Sequence, residues 1–246
     1  MQGRIPTCRD TLTNGDEKTQ ERMKKMVMMH TQIPMQEITH ILLDMDGTLL
    51  DLYFDDYFWG QHVPQKYAEK HSISFDSAKE MLYAKYKSHE KTLNWCDIDF
   101  WSRELYLDIP ALKEQVNHLI DVHPHVIEFL NLMREQGKKI FLLTNAHFKA
   151  VNIKFRKTQI GKYFDEVLSS FHVGHPKEDL DFWHKAQKKL QFDKERSLFI
   201  DDTEDVLKTA REYGIKHLLF KAKASSMSEP KKTEHFPTIH DFRELM

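Results

Sequence analysis

Residues 41–59 read ILLDMDGTLLDLYFDDYFW. Three apolar residues, typical of a buried strand, run into Asp44 and Asp46, which Gly47 and Thr48 follow. Two carboxylates one residue apart repel each other. A chain that ends a strand on such a pair must therefore supply groups that compensate their charge.

The composition is typical of a globular protein. The chain has 246 residues, of which 40% are hydrophobic and 30% charged, and its formal net charge is -2. The length suits one large domain, or a core with a modest insertion. The small net charge gives no reason to expect binding to nucleic acid polymers or to an anionic membrane.

The sequence also bears on the cellular location. No apolar run approaches the roughly 20 residues of a membrane helix, and the first thirty residues are too polar for a secretory signal. Cys8 and Cys96 form no CxxC pair, and the fifteen histidines show no zinc spacing. We expect a cytoplasmic protein. Residues 1–30 are interpreted as a disordered N-terminal extension, which could precede a true start at Met28 or Met29.

From residue 38 onward, short apolar runs alternate with helical patterns. The predicted strands are ITHILLDMD (38–46), KKIFLLTNA (138–146), FDEVLSS (164–170), SLFIDD (197–202) and KHLLF (216–220). The helical patterns are VIEFLNLMREQG (126–137), residues 148–159, EDLDFWHKAQKKL (178–190) and EDVLKTAREYG (204–214). Continuous apolar strands separated by helices predict a doubly wound parallel α/β sheet, in which ligands bind beyond the carboxyl ends of the strands.

The alternation is interrupted once, after the first strand. Roughly seventy residues before the helix at 126 show helical patterns only. A structureless loop of that length is improbable in a compact domain. We therefore predict an inserted helical subdomain at residues 55–121, with the core formed by residues 31–54 and 122–246.

The carboxyl ends of the predicted strands gather a reactive set of side chains. The set consists of Asp44 and Asp46, Thr144 and Asn145, Lys177 in HVGHPKED, and Asp201 and Asp202. Free aspartates have a pKa of about 3.9, and two unit charges about 4 Å apart repel by roughly 4 kcal/mol at an effective dielectric near 20. Four acids with one lysine therefore require a cation or retained protons. Hard carboxylate oxygens suit Mg²⁺, and the bound ion would also allow a phosphate dianion to enter this acidic site.

Four ordered motifs resemble those of the haloacid dehalogenase superfamily of hydrolases. They are DMDGT (44–48), LLTNA (142–146), HPKED (175–179) and FIDDTED (199–205). The resemblance covers residues 38–220, and the helical insertion is similar to the family's C1 cap. It implies a Rossmann-like core and a Mg²⁺-dependent phosphatase.

The resemblance also implies a role for each motif residue. Asp44 is expected to attack phosphorus and form an aspartyl-phosphate, and Asp46 to serve as general acid and base. Thr144 and Lys177 are expected to hold the phosphoryl group, with Gly47 and Asn145 beside it. Metal binding is expected from the Asp44 carboxylate, the Asp46 backbone carbonyl and Asp202. Asp201 replaces a glycine often found in the family and is expected to act through water.

The substrate prediction rests on longer strings. DMDGTLLDLYFDDYFW (44–59), KTLNWCDIDFW (91–101) and LLTNAHF (142–148) resemble the bacterial GMP/IMP 5′-nucleotidase branch of the superfamily. That resemblance implies a purine nucleoside monophosphate as substrate. The candidate base or ribose contacts are Tyr53, Phe54, Tyr57, Trp59, Asn94 and Trp95, although aromatics at helical spacing also form subdomain cores.

Three alternatives stay open from the sequence. A phosphatase or phosphomutase of sugar phosphates, or of another small phosphometabolite, could share these motifs. An inactive nucleotide-binding module is a non-enzymatic alternative, against which the intact acids argue. A dehalogenase needs neither a metal nor an acid two residues after the nucleophile, so Asp46 argues against that activity. The oligomeric state is not predicted.

Overall fold

The computed structural model describes residues 33–246. The predicted N-terminal extension at 1–30 lies outside the described residues. Residues Met35–Met246 form one unit, and among residues 33–246 every helix is too short or too polar to cross a membrane.

A six-stranded parallel sheet forms the centre of this unit, with the strand order β3-β2-β1-β4-β5-β6. The strands are β1 His40–Leu43, β2 Lys139–Thr144, β3 Glu166–Ser169, β4 Ser197–Asp201, β5 His217–Lys221 and β6 Thr238–Ile239. The first four lie within their predicted strands, and β5 extends one residue beyond its predicted end at 220. The short β6 was not predicted, since its two residues follow Pro237 in a polar stretch. The predicted doubly wound α/β fold is confirmed.

Strand β1 lies where the direction of winding changes. Leu43 pairs with Leu142 of β2 on one side and with Ile200 of β4 on the other. The chain proceeds from β1 to β2 and β3, then crosses to β4 on the opposite side of β1. Ligands of open α/β sheets bind in the crevice at such a switch point, outside the carboxyl ends of the strands. The residues that follow β1 and β4 therefore face a shared crevice.

A helical insertion separates β1 from β2. Its helices are α1 Tyr53–Tyr57, α2 Val63–His71, α3 Phe75–Lys87, α4 Leu93–Cys96, α5 Ile98–Leu105 and α6 Ile109–Gln115, with a π-helical turn at Phe58–His62. The chain enters and leaves it side by side: the Asp51 amide donates to the Asp121 carbonyl (3.0 Å), and the His123 amide to the Leu49 carbonyl (2.9 Å). The segment between β1 and β2 is thus helical, and its first helix begins two residues before the predicted start of the insertion at 55.

The remaining helices cover the sheet. They are α7 Val126–Glu135, α8 Phe148–Thr158, α9 Ser170–Val173, α10 Leu180–Leu190 and α11 Glu204–Tyr213. On one face, Phe182 and Trp183 of α10 belong to a buried cluster with Phe141 and Phe199 of the sheet. Burial of apolar surface at roughly 25 cal/mol per Å² makes this packing the main source of stability. It fixes the sheet that positions the site.

Candidate active site

Lys177 joins two acids from different strands. Its Nζ donates to Asp44 Oδ1 at 2.5 Å and to Asp201 Oδ2 at 2.7 Å. Asp44 directly follows β1, where its amide continues the sheet by donating to the Ile200 carbonyl (3.0 Å). All three side chains are buried. The predicted proximity of these groups is therefore present in the structure.

The loop of Lys177 is held by its neighbours. The Lys177 amide donates to Asn145 Oδ1 (2.8 Å), and its carbonyl accepts from Trp183 Nε1 (2.8 Å). Asn145 Nδ2 donates to Glu178 Oε2 (2.9 Å). Both polar ends of the Asn145 side chain thus bind the loop that carries the lysine. Asn145, predicted to contact phosphate, has its observed contacts with this loop.

Burial changes the acid–base properties of this group. Desolvation raises the pKa of Asp44 above its usual value, against the opposing effect of Lys177. Desolvation likewise raises the pKa of Asp201 well above its usual value. For Lys177 burial acts the other way, but Asp201 and Asp44 outweigh it and raise the pKa of the ammonium. The lysine stays charged, and the excess negative charge of its partners stays incompletely compensated.

Asp202 completes a cluster of oxygen donors. Carboxylate oxygens of Asp44, Asp201 and Asp202 all lie within 4.8 Å of one another. Asp201 Oδ1 also accepts from the Thr203 amide (2.8 Å), so both of its oxygens are engaged. Asp202 Oδ2 accepts from Lys231 Nζ (2.8 Å). Such a donor set of hard oxygens fits Mg²⁺.

Gly47 leaves the space that this cluster needs. Its φ is +84°, and a Cβ built there would lie 2.7 Å from Asp202 Cγ. Glycine adopts this left-handed conformation without the steric cost that a side chain incurs. The glycine therefore allows the turn after β1 to approach the acid that follows β4, and the donor set fits a divalent ion.

Asp46 has a lysine of its own. Lys154 of α8 donates to Asp46 Oδ1 (2.6 Å) and to Asp55 Oδ2 (2.5 Å). Desolvation raises the pKa of Asp46 to about 6, although Lys154 opposes the shift. Asp55 accepts a second bond from Lys113 Nζ (2.8 Å), and its two lysines outweigh burial and lower its pKa. Lys154, Asp55 and Lys113 were not predicted from the sequence.

Two threonines line the turns around the acids. Thr144 is buried, and its Oγ1 accepts from the Ala146 amide (3.0 Å), which leaves the hydroxyl proton available to a ligand. Thr48 is fully buried, and its Oγ1 has no hydrogen-bond partner among residues 33–246. Thr144, which the sequence placed at the carboxyl end of a strand, lines the cleft, whereas Thr48 is not part of its wall.

A cleft of about 780 Å³ lies between the acids and the insertion. The core side contributes Asp44, Asp46, Thr144, Asn145, Lys177 and Asp202. The insertion side contributes Trp59, Tyr83, Tyr86, Trp95, Ile98 and Trp101. The cleft therefore has one charged end and one aromatic end, which suits an anionic ligand with a planar group.

Tyr86 lies at the centre of the aromatic end. Its ring is 5.1 Å from Trp101, 5.5 Å from Trp59 and 6.4 Å from Trp95, in edge-to-face arrangements. Its hydroxyl is buried and has no hydrogen-bond partner in the described part of the chain. Burial raises the pKa of this phenol, so the group remains a neutral donor.

The candidate contacts predicted from the sequence divide into two groups. Trp59 and Trp95 line the cleft. Tyr53, Phe54, Tyr57 and Asn94 are not part of its wall. Phe54 is 1% exposed and stacks on Phe58, and Asn94 is exposed on α4. Phe54 of α1 thus packs inside the insertion, while Trp59 and Trp95, which follow α1 in the chain, face the cleft.

Comparison with known proteins agrees with this geometry. The family described as haloacid dehalogenase-like hydrolase matches residues 38–214. The chain belongs to this family. Family membership and the nucleotidase relatives described next make the chain a hydrolase of phosphoric monoesters, as predicted.

Individual relatives of the hydrolase family are consistent with this. The chain is 37% identical over 218 residues to the GMP/IMP nucleotidase YrfG of Escherichia coli strain K12. The aligned region covers 89% of this chain and 98% of the relative. The Shigella flexneri protein of the same name shows the same values. A phosphatase structure from Thermococcus onnurineus superposes with a TM-score of 0.72 at 23% identity, covering 85% of this chain and 96% of that one. This last likeness concerns the fold.

Proposed function

We propose that the protein is a Mg²⁺-dependent 5′-nucleotidase that hydrolyses GMP and IMP through an aspartyl-phosphate on Asp44. The observation that carries the proposal is the cleft itself, in which the Asp44–Lys177 pair lies opposite an aromatic wall. The 37% identity to a GMP/IMP nucleotidase over nearly its whole length supports the choice of substrate. A sugar phosphate uses the charged end but has no planar base to stack on the five aromatic side chains that line the other end.

The chemistry follows from the residues at the charged end. A carboxylate oxygen of Asp44 forms a bond to phosphorus while the bond from phosphorus to the 5′ oxygen breaks. Asp46 gives its proton to that oxygen, and the nucleoside leaves. A water then attacks phosphorus and yields its proton to Asp46, and the bond from phosphorus to Asp44 breaks. The products are nucleoside and inorganic phosphate.

Other residues hold the phosphoryl group during these steps. The Lys177 ammonium is already bonded to Asp44 and keeps its charge, so it offsets the charge that develops on the transferring group. The Thr144 hydroxyl can donate to a phosphoryl oxygen. Asn145 contributes by fixing the loop of Lys177.

Asp46 is placed to hold a proton when one is required. Its pKa of about 6 lies closer to neutral pH than that of an ordinary aspartate, because it is desolvated. Efficient acid–base groups have pKa values near the working pH. Asp44 lies in the cluster with Asp201 and Asp202 that would hold the metal, so it is the acid better suited to act as the nucleophile.

Mg²⁺ would be held by the Asp44 and Asp202 carboxylates and the Asp46 carbonyl, with Asp201 acting through water. The ion supplies positive charge that lets a phosphate dianion enter an acidic site. Asp201 is the acid least free to bind directly, since Lys177 and the Thr203 amide already occupy its two oxygens.

The experiment is a panel of phosphate-release assays with the purified protein. The substrates are GMP, IMP, AMP, ribose 5-phosphate, glucose 6-phosphate, pyridoxal phosphate and p-nitrophenyl phosphate, each with Mg²⁺ and with chelator. We expect kcat/KM for GMP and IMP to exceed that for the sugar phosphates at least about tenfold, because stacking of a base on aromatic side chains contributes roughly 1–3 kcal/mol. Asp44→Asn is the inactive control.

Each alternative gives a different outcome in this panel. Faster turnover of sugar phosphates would refute the nucleotide assignment and leave the reaction class intact. Conversion of a phosphosugar to its isomer without phosphate release would indicate a phosphomutase. Binding of GMP with no turnover of any substrate, including p-nitrophenyl phosphate, would indicate a nucleotide-binding module.

A further inference from the structure

Lys154 is the only described lysine bonded to Asp46, and it is almost completely buried. Its side chain is 2% exposed, and its Nζ lies 2.6 Å from Asp46 Oδ1. Burying an ammonium costs several kcal/mol unless it is paired and hydrogen-bonded. Lys154 meets this condition through a second carboxylate, Asp55, at 2.5 Å.

The pairing continues into the insertion. Asp55 lies on α1, and its other oxygen accepts from Lys113 Nζ of α6 at 2.8 Å. The Lys113 side chain is 3% exposed, and its Nζ lies 4.3 Å from the centre of the Phe58 ring. Asp46, Lys154, Asp55 and Lys113, here called the four-charge chain, alternate in sign and sum to zero. The four-charge chain connects the core to both ends of the insertion.

The same arrangement occurs twice in the site. Lys177 is shared by Asp44 and Asp201, and Lys154 is shared by Asp46 and Asp55. Each of the two reacting aspartates therefore shares a buried lysine with a second acid. The two lysines come from different segments, so each aspartate is oriented independently.

We propose that Lys154 is a positioning residue for Asp46, with Asp55 and Lys113 fixing Lys154 in turn. Among residues 33–246, Lys154 holds Asp46 through Oδ1 alone, so Oδ2 remains available to the leaving oxygen of the substrate. Within the proposed function, on which this inference rests, loss of Lys154 leaves the acid in place but lets its carboxyl rotate. The step that becomes slower is the transfer of a proton from Asp46 to the leaving group.

Such a role predicts a dependence on the leaving group. A 5′-alkoxide or an unsubstituted phenolate is a poor leaving group and needs the proton, whereas p-nitrophenolate leaves without it. In Lys154→Met we expect kcat/KM for GMP and for phenyl phosphate to fall about 100-fold, and that for p-nitrophenyl phosphate to fall less than fivefold. The pair of phenyl substrates differs by one nitro group, so binding in the cleft is nearly matched.

Two further variants keep the test decisive. Lys154→Arg retains the charge and should restore at least a tenth of the wild-type kcat/KM for phenyl phosphate. Asp55→Asn leaves Asp44, Asp46 and Lys154 in place and should lower kcat/KM for phenyl phosphate about tenfold more than for p-nitrophenyl phosphate. This variant decides the question if Lys154→Met does not fold, which circular dichroism will show. Lys149→Met, on the same helix with an exposed lysine, is the matched control.

The outcomes separate the inference from the proposed function. No hydrolysis of any substrate by the wild type would refute the proposed function. Hydrolysis by the wild type, with Lys154→Met or Asp55→Asn losing the same factor on phenyl and p-nitrophenyl phosphate, would overturn only the positioning role. A preferential loss on phenyl phosphate that Lys154→Arg rescues is the result expected.

Discussion

Lys177 Nζ lies 2.5 Å from Asp44 Oδ1, across 133 residues of sequence. The same ammonium reaches Asp201 at 2.7 Å. Three segments that are distant in the chain thus meet because β1 and β4 are neighbours in the sheet and the loop after β3 returns to them. One buried ammonium thus compensates two acids that come from different segments of the chain.

Asp44→Asn should abolish phosphate release and leave the fold intact. An amide cannot attack phosphorus, so we expect activity to fall at least about 10³-fold. Lys177 retains Asp201 as a partner, and the amide is isosteric, so the free energy of unfolding should change by only about 1 kcal/mol. Urea unfolding measures this, with Asp181→Asn, an exposed acid on α10, as control. A variant that melts far below wild type would show that Asp44 is structural.

Lys177→Met should destabilise the protein in a pH-dependent manner. Without the ammonium, Asp44 and Asp201 are buried without a cation, which costs about 3–5 kcal/mol at neutral pH. Burial raises both carboxyl pKa values above those of the unfolded chain, so the folded state binds more protons and stability falls as pH rises.

The loss of unfolding free energy in Lys177→Met, relative to wild type, should therefore be smaller at pH 5.5 than at pH 7.5. Urea unfolding of wild type and variant at both pH values measures it. Lys185→Met removes a lysine from α10 that donates to the Val173 carbonyl, and serves as control. An equal loss of unfolding free energy at the two pH values would contradict the conclusion that Asp44 and Asp201 are left buried and without a cation in this variant.

Gly47→Ala should damage the metal site specifically. An added Cβ would lie 2.7 Å from Asp202 Cγ, so Asp202 must move. Gly137→Ala is a matched control, because Gly137 also has a positive φ (+72°) but nothing within 4 Å of the added Cβ. Both variants should lose about 1 kcal/mol of stability from backbone strain. We expect Mg²⁺ to raise the melting temperature of the wild type and of Gly137→Ala, and this rise to be lost only in Gly47→Ala.

Trp95→Ala should weaken binding of nucleotide and leave the chemistry intact. Trp95 is 41% exposed and lines the aromatic end of the cleft. Stacking of a base on an aromatic side chain contributes roughly 1–3 kcal/mol, so KM for GMP should rise about tenfold or more. The kinetics on p-nitrophenyl phosphate should stay within about twofold. Tyr106→Ala, 77% exposed and away from the cleft wall, is the control. An unchanged KM for GMP would remove Trp95 from the binding site.

The strands and their terminal acids could be predicted because parallel strands buried on both faces give continuous apolar runs. Asp44, Asp46, Asp201 and Asp202 then had to lie at one edge. Apolar runs are visible in the local sequence, and the carboxyl ends of parallel strands share one edge of the sheet. No knowledge of contacts between distant segments was therefore needed. The bounds of β1 to β4 fall inside the predicted ones, and β5 exceeds its predicted range by one residue.

Lys154 could not be predicted as readily, since lysine on a helix is usually exposed. A signal was nevertheless present in FKAVNIKFRKT (148–158). Ala150, Val151 and Lys154 recur at helical spacing and all prove buried, so the lysine lies on the apolar face of α8. A lysine on the apolar face of a helix predicts a buried acidic partner. For Lys154 one such partner is Asp55, which lies 99 residues away in the sequence. Only tertiary structure identifies that partner.

For the aromatic residues, the sequence identified the segment but not which side chains face the cleft. Phe54 and Trp59 belong to the same aromatic string, yet Phe54 is buried against Phe58 while Trp59 reaches the cleft. The π-helical turn at Phe58–His62 changes the direction of side chains after α1. A regular helical period therefore misassigns the faces. Tyr86 and Trp101, from other helices, supply the rest of the wall.

The central claim is that an Asp44 oxygen captures phosphorus, and trapping the intermediate tests it most directly. Asp46→Asn should accumulate phosphoenzyme with p-nitrophenyl phosphate, because this leaving group needs no acid while the following hydrolysis needs the base. Acid quenching with labelled substrate should give a burst of about one nitrophenolate per protein and hydroxylamine-sensitive label on the peptide containing Asp44. Turnover with label on another residue, or with no burst and no label, would contradict the account.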